Sequence, residues 1–174
     1  SQRIFNAHEA EVSALTVHPQ GLLVASGEMG IDPMIRIWDA SHRVHHTGGK
    51  ASSTIPVEAQ ICALTGHHKQ ILSLDFSHDG KLLVSLSNDN NRNTVMIWRW
   101  REGELIANAI ANTSPVYSIR FNPYQAYGIP DENPRPGQAH DLDDVIYTLV
   151  SAGVRHLKFW VLLRTEDPSV KDDE

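Results

Sequence analysis

The sequence predicts an all-β fold laid down as about three successive units of four short antiparallel strands, and three observations carry that expectation. The first is internal repetition: AHEAEVSALTVHP from Ala7, GHHKQILSLDFSH from Gly66 and ANTSPVYSIRFNP from Ala111 align without gaps at their starts. Self-similarity of this kind is the mark of a repeat architecture. The second is the alternation of apolar residues within each segment, which has the period of a strand. The third is a tryptophan that follows a β-rich alternation in every unit: Trp38, Trp98 and Trp160. His67 precedes Trp98 by 31 residues and His8 precedes Trp38 by 30. A β-sandwich would supply strands at this spacing but gives no reason for aligned His and Trp positions.

The elements follow in order. A first strand begins at Val12, Ile71 and Val116 and runs through Val17, Phe76 and Phe121. A turn comes next in the first two units, Pro19-Gln20-Gly21 and His78-Asp79-Gly80, where glycine permits the positive φ of a tight reversal. A second strand is expected over residues 22–26, 82–85 and 146–151, and a third over 34–39 (MIRIWD), 95–100 (VMIWRW) and 157–162 (LKFWVL). A fourth, less regular strand is expected at 2–5, 60–64 and 105–110, so the chain opens inside the last strand of a preceding unit. The division is then 1–6 for that strand, 7–65 for the first unit with an insertion at 41–58, 66–110 for the second, 111–165 for the third with an insertion at 124–144, and 166–174 as an acidic tail or linker. Four short antiparallel strands per unit, repeated, is the layout of a propeller blade. A blade cannot bury both faces of its sheet alone, and three blades close no ring, so further blades are expected upstream or downstream in a longer protein.

Composition narrows the function. With 41% hydrophobic and 21% charged residues, the 174-residue chain can build a core. Fifteen basic against 21 acidic residues, with no basic block, argues against a nucleic-acid-binding face, which must neutralise phosphates with clustered Lys and Arg. The single Cys62 cannot form an internal disulfide, which favours a reducing compartment and so the cytoplasm. No apolar run approaches the roughly 20 residues that span a bilayer, and no membrane association is expected. Ten histidines invite a metal site, but His45-His46 and His67-His68 are adjacent pairs, and strand neighbours point to opposite faces. No metal is expected. Gly48-Gly49-Lys50 lacks the strand-to-helix setting that cradles phosphate, and no G-x-S-x-G is present. Asp141, Asp143 and Asp144 lie in a proline-containing stretch with nothing arranged to raise a carboxyl pKa. The expectation is no cofactor, no catalytic residue and no enzymatic activity: a module that binds other proteins.

The GH and WD dipeptides resemble those of WD repeats, which makes the expected fold a WD-repeat β-propeller fragment of about three four-stranded blades. In such repeats the His of the GH loop, an Asp before the third strand, that strand's Trp and a Ser or Thr form one hydrogen-bonded set. A buried imidazole needs partners for both ring nitrogens and a buried indole needs an acceptor, so the set is satisfied only when complete. The resemblance implies His8, Asp32 and Trp38, with Ser26, in the first unit, where Asp39 completes the dipeptide. In the second it implies His67 and Trp98, with Asp89 in a long turn at 88–93 and Arg99 in place of the dipeptide Asp. The third has Asn112 at the His position and no Asp before Trp160, so packing is expected to hold it.

Three longer phrases, VASGEMGIDPMIRIWDA from Val24, FSHDGKLLVSLSNDNNRNTVMIWRW from Phe76 and VSAGVRHLKFW from Val150, resemble the propeller of the echinoderm microtubule-associated protein-like family. The resemblance covers most of residues 11–163; the insertions at 41–58 and 124–144 depart from it. It implies a cytoplasmic scaffold on the microtubule cytoskeleton, the axoneme of a cilium or flagellum included, with tubulin or microtubule-associated proteins as partners. Because tubulin's surface is acidic, the basic residues His42, Arg43, Lys50, Arg92, Arg99, Arg101 and Arg135 are the candidate contacts. Similar R-H-L-K-F-W and W-x-W segments in WD-repeat scaffolds that bind stress-activated kinases imply the alternative, a signalling scaffold that does not touch the lattice.

Overall fold

Strands form where β-branched and apolar residues alternate with small polar ones. A computed structural model of the chain describes residues 4–41, 54–55, 59–89, 92–124 and 147–162. Its elements are β1 (Ile4–Phe5), β2 (Val12–Val17), β3 (Leu23–Glu28), β4 (Ile35–Asp39), β5 (Thr54–Ile55), β6 (Gln60–Leu64), β7 (Ile71–Phe76), β8 (Leu83–Asp89), β9 (Arg92–Arg99), β10 (Glu104–Asn112), β11 (Val116–Phe121), β12 (Tyr147–Gly153) and β13 (His156–Leu162). They assemble as three antiparallel sheets: β2-β3-β4-β6, β7-β8-β9-β10 and β11-β12-β13. These are the blades. β1, read from the sequence as the last strand of a preceding blade, pairs in parallel with β5 from the insertion, Ile4 opposite Thr54 and Phe5 opposite Ile55.

The repetition extends to fine geometry. In each blade the first strand pair shifts register just after its opening residue, between Val12 and Ala14, Ile71 and Ser73, and Val116 and Ser118. Such a bulge bends the strand and raises its local twist. The two glycine turns are also alike. The Gly21 N–H donates to the His18 carbonyl at 2.7 Å and the Gly80 N–H to the Ser77 carbonyl at 2.8 Å, with φ of 75° and 71°. One sequence expectation is corrected: Asn88, Asp89, Arg92 and Asn93, read as part of a long turn, lie in strands. Asn88 pairs with Asn93 and Asp89 with Arg92, so β8 and β9 run further than expected. Ser87, Asp89 and Asn93 are polar yet buried with partners, which keeps the strand alternation going through what reads as a loop.

The core lies between blades. One cluster joins Ala25, Ile35 and Ile37 of the first blade to Ile71, Leu74, Phe76 and Trp98 of the second. A second joins Val84, Val95 and Ile97 of the second blade to Val116, Ile119, Phe121 and Leu149 of the third. The first strands of the blades lie side by side and are stitched by side chains. Ser13 Oγ donates to the Ile71 carbonyl at 2.7 Å, and Ser73 Oγ accepts the Ile119 N–H at 3.3 Å. At Gly27 a Cβ would stand 2.6 Å from Ile71 Cγ2, so glycine is what lets the first two blades approach.

Candidate functional site: blade-locking sets and displayed basic residues

The second blade holds the fullest set. His67 is carried between β6 and β7, after Gly66, and its ring lies inside the blade. Its Nδ1 lies 3.0 Å from Asp89 Oδ2 and its Nε2 2.7 Å from Ser85 Oγ, while Trp98 Nε1 donates to the same hydroxyl at 2.8 Å. The carboxylate can only accept, so Nδ1 carries the proton and Nε2 accepts from Ser85. Asp89 Oδ1 also accepts the N–H groups of His68 (2.8 Å) and Lys69 (2.9 Å) and the Ser87 hydroxyl (2.8 Å).

Burial pushes the His67 imidazole below its ordinary value, against the pull of Asp89. Burial also pushes Asp89 up, but its bonds from His67, Ser87 and the His68 N–H outweigh that and hold the carboxyl below its usual range. A base depressed in the folded state gives stability that is complete above its unfolded value and lost as the pH falls through its folded one. Stability in urea is therefore expected to decline on acidification below pH 6.5, the ordinary imidazole value. His67→Gln is expected to lower the midpoint at pH 7 and flatten that decline, as paired urea titrations between neutral and mildly acidic pH would register.

The first blade builds the same lock from another acid. His8 Nε2 lies 2.6 Å from Ser26 Oγ and His8 Nδ1 2.7 Å from Glu28 Oε1. Asp32, expected in this set, is instead exposed, with Oδ1 3.2 Å from His68 Nδ1. The cause is positional. Asp89 stands 22 residues after His67, and 22 residues after His8 stands Gly30, which has no side chain. The loop there turns outward through positive φ at Gly30 (121°) and Asp32 (49°). Glu28, two residues earlier but one methylene longer, spans the gap and also accepts the Met34 N–H at 3.2 Å. Burial raises its carboxyl, yet the bonds from His8, Met34 and Glu9 leave it below the ordinary value. A glutamate on the buried face of a second strand was the available sequence signal.

Trp38 also departs from expectation. Its indole N–H has no acceptor among the described residues, and its ring stacks on Phe5, centroids 5.0 Å apart and planes 2° from parallel. Asp39 caps the turn after β4, its Oδ1 accepting the Ser41 N–H at 2.7 Å.

The third blade retains half a set, Trp160 Nε1 donating to Ser151 Oγ at 2.9 Å, so packing is not its sole support. Asn112 bonds within its own loop, its Oδ1 accepting the Ser114 N–H at 3.2 Å. The loop is fastened by Asn93 of the second blade, which donates to the carbonyls of Asn112 (3.1 Å) and Ser114 (2.9 Å) and accepts the Val116 N–H at 3.2 Å.

Two further ties between blades escaped the sequence reading. His18, buried, donates from Nε2 to the Gly80 carbonyl at 3.1 Å and accepts the Gln20 N–H at Nδ1. Trp100 Nε1 donates to that same carbonyl at 2.8 Å, and the His18 ring meets Phe76 and Trp100 edge-on. The Tyr147 hydroxyl of the third blade donates to Asp79 Oδ2 of the second at 2.9 Å. Burial and that carboxylate both push the phenol well above its ordinary value. Tyr147→Phe is expected to cost about 1 kcal/mol, visible as a lowered urea midpoint with unchanged slope.

Of the candidate contacts, His42, Arg43, Lys50 and Arg135 lie outside the described residues. Arg92 is exposed at the start of β9, whereas Arg99 ends that strand and pairs with Glu104. The Arg101 guanidinium lies 4.3 Å over the Trp100 ring. An eight-residue strand is roughly 25 Å long, so Arg92 sits at one end of the blade and Arg99 with Arg101 at the other. The structure does not bring them together. Among the described residues no three His, Cys, Asp or Glu side chains group as a metal site, and no helix is long and apolar enough to cross a membrane.

Comparison with known proteins agrees with this geometry. The family WD domain, G-beta repeat, matches residues 1–39 and 58–99. Echinoderm microtubule-associated protein-like elp-1 of Caenorhabditis elegans is 24% identical over 140 residues, which is 71% of this chain and 16% of that protein. Echinoderm microtubule-associated protein-like 4 of Xenopus tropicalis is 24% identical over 169 residues, 92% of this chain and 15% of that protein. The chain thus spans a small part of the length of these relatives. The β-propeller domain of Myceliophteria thermophila Cps50 (Swd1) superposes with a TM-score of 0.52 at 16% identity, over 95% of this chain and 42% of that one. Repeated blades, tryptophan-centred sets and these likenesses together give the chain a β-propeller fold with WD repeats over residues 1–39 and 58–99, similar at low identity to echinoderm microtubule-associated protein-like proteins.

Proposed function

We propose that the chain is a non-catalytic protein-interaction scaffold, one arc of a larger WD-repeat propeller that works on the microtubule cytoskeleton of the cytoplasm. The observation that carries this reading is where the buried chemistry-bearing side chains go. His8, His18, His67, Glu28 and Asp89 are all taken up in bonds that lock blades. What the frame displays is its loops and strand ends, and loops on a rigid scaffold are where recognition is built. The microtubule side rests on likeness along 92% of the chain to a relative bearing that name.

Co-sedimentation with microtubules tests it. Pelleting is expected at low ionic strength and should weaken as salt rises, because the screening length falls from about 30 Å at 0.01 M to about 8 Å at 0.15 M. Arg92→Glu and the Arg99→Glu/Arg101→Glu pair probe opposite ends of the blade, and reversal at the binding end alone should reduce pelleting severalfold. Absence of pelleting at low salt would remove the microtubule reading and leave the signalling scaffold.

A further inference from the structure

Most basic side chains among the described residues are used up inside the molecule. Arg36 donates to Gln60 Oε1 at 2.8 Å, Arg120 donates to the Leu74 carbonyl at 2.8 Å, Lys81 lies 3.8 Å from Asp79, and Arg99 pairs with Glu104. Arg101 and Lys158 lie over the rings of Trp100 and Trp160, at 4.3 and 3.9 Å. Lys69, Arg92 and Arg155 are different: they are exposed, and their cationic groups meet no partner among the described residues. All three stand at one end of the blades. Lys69 precedes β7, Arg92 opens β9, and Arg155 lies in the two-residue turn between β12 and β13, where Gly153 pairs with His156. β7 and β11 run side by side in one direction, Ser73 beside Ile119 and Asp75 beside Phe121, so the starts of both strands share that end. Hydrogen bonds join the three tips. The Lys69 N–H donates to Asp89, which pairs with Arg92; Asn93 holds the Ser114 carbonyl; and the Val154 N–H donates to the Pro115 carbonyl at 2.9 Å. The carboxylate within this line, Asp89, is already taken up by four donors. Arg155 adds a second observation. Its φ of 58° is one that residues other than Gly, Asn and Asp rarely adopt. A glycine would make the turn without strain, so the turn itself gives no reason for an arginine, and strain of this kind points to function.

We propose that these tips of the second and third blades form a docking site for an acidic peptide segment of a partner protein. Lys69, Arg92 and Arg155 pair with its carboxylates, and Val154, 39% exposed beside Arg155, takes an apolar side chain. On a chain of net charge -6, unneutralised cations gathered at one end make a local field opposite in sign to that of the whole. Such a field draws in and orients a segment of negative charge. The exposed acids of the same end, Glu9, Glu11 and Asp32, belong to the first blade. They repel the peptide there, so it runs across the second and third blades and not onto the first. The inference rests on the scaffold reading but not on its microtubule side, so peptide binding and pelleting can fail separately.

Fluorescence anisotropy of a labelled glutamate peptide about ten residues long, titrated with the full-length protein, is the test; such a peptide extends to about 33 Å. Saturable binding is expected at low ionic strength and should weaken as salt is added. Lys69→Gln and Arg92→Gln should each weaken it about two- to fivefold, and both together with Arg155→Gly about tenfold or more. Arg155→Gly alone separates recognition from folding, because it relieves the left-handed backbone while removing the charge. Its urea midpoint should hold or rise while peptide affinity falls about two- to fivefold. Lys81→Gln, in the turn at the other end of the second blade, should leave binding unchanged. Absence of binding at low salt overturns the proposal. So does equal binding of a lysine peptide or a single-stranded oligonucleotide, or a loss for Lys81→Gln as large as for Arg92→Gln. Pelleting with microtubules without peptide binding would remove this site and leave the microtubule reading, whereas peptide binding without pelleting would do the reverse.

Discussion

Asp89→Ala is expected to remove about 3–5 kcal/mol of folding free energy, enough to leave the blades near their unfolding threshold at room temperature. The carboxylate accepts from four donors at once: the His67 ring, the His68 and Lys69 amides and the Ser87 hydroxyl. Alanine strips the acceptor from all four, and a buried donor left unpaired costs about 1–3 kcal/mol, less where water can follow. Asp89→Asn keeps one accepting oxygen but aims an amide N–H₂ at donors, so an intermediate loss is expected. Equilibrium unfolding in urea reads both. A loss below about 1 kcal/mol for the alanine variant would show that packing holds the second blade and that the set is incidental to it.

The same set shows what a sequence reveals and what it hides. Strand periodicity, the glycine turns and the repeated Trp were readable because each follows from backbone geometry or from one residue at a fixed place. Gln60–Leu64 is a strand over the residues expected. The acid of the first blade was not readable by spacing. Glu28 and Asp89 do one job from backbone positions two residues apart, since side-chain length offsets chain position. Asn93 was hidden for a related reason: it fastens the loop of the next blade, and a contact across 19 residues or more leaves no periodic trace. His18 followed by Pro19 reads as the end of a strand. Only the packing of two blades shows that its ring is their wedge.

That wedge sets up a comparison between two glycines that share a conformation and differ in surroundings. Gly21 and Gly80 have φ of 75° and 71°, so alanine at either pays the left-handed penalty of about 1 kcal/mol. At Gly21 an added Cβ meets nothing within 4 Å, and the cost should stop there. At Gly80 the Cβ would fall on the His18 imidazole, which is buried and cannot swing aside as the tip of a flexible chain could. The ring must then leave the Gly80 carbonyl and its edge contacts with Phe76 and Trp100. Gly80→Ala is therefore expected to cost about 2–4 kcal/mol against about 1 for Gly21→Ala, read from urea midpoints. The cost should also be less than additive with His18→Ala, because removing the ring vacates the space that the new methyl needs. Equal losses at the two glycines would mean that the first two blades are held by their apolar cluster alone. A larger loss at Gly80, relieved by His18→Ala, assigns part of that cohesion to one histidine seated on a neighbouring blade's turn.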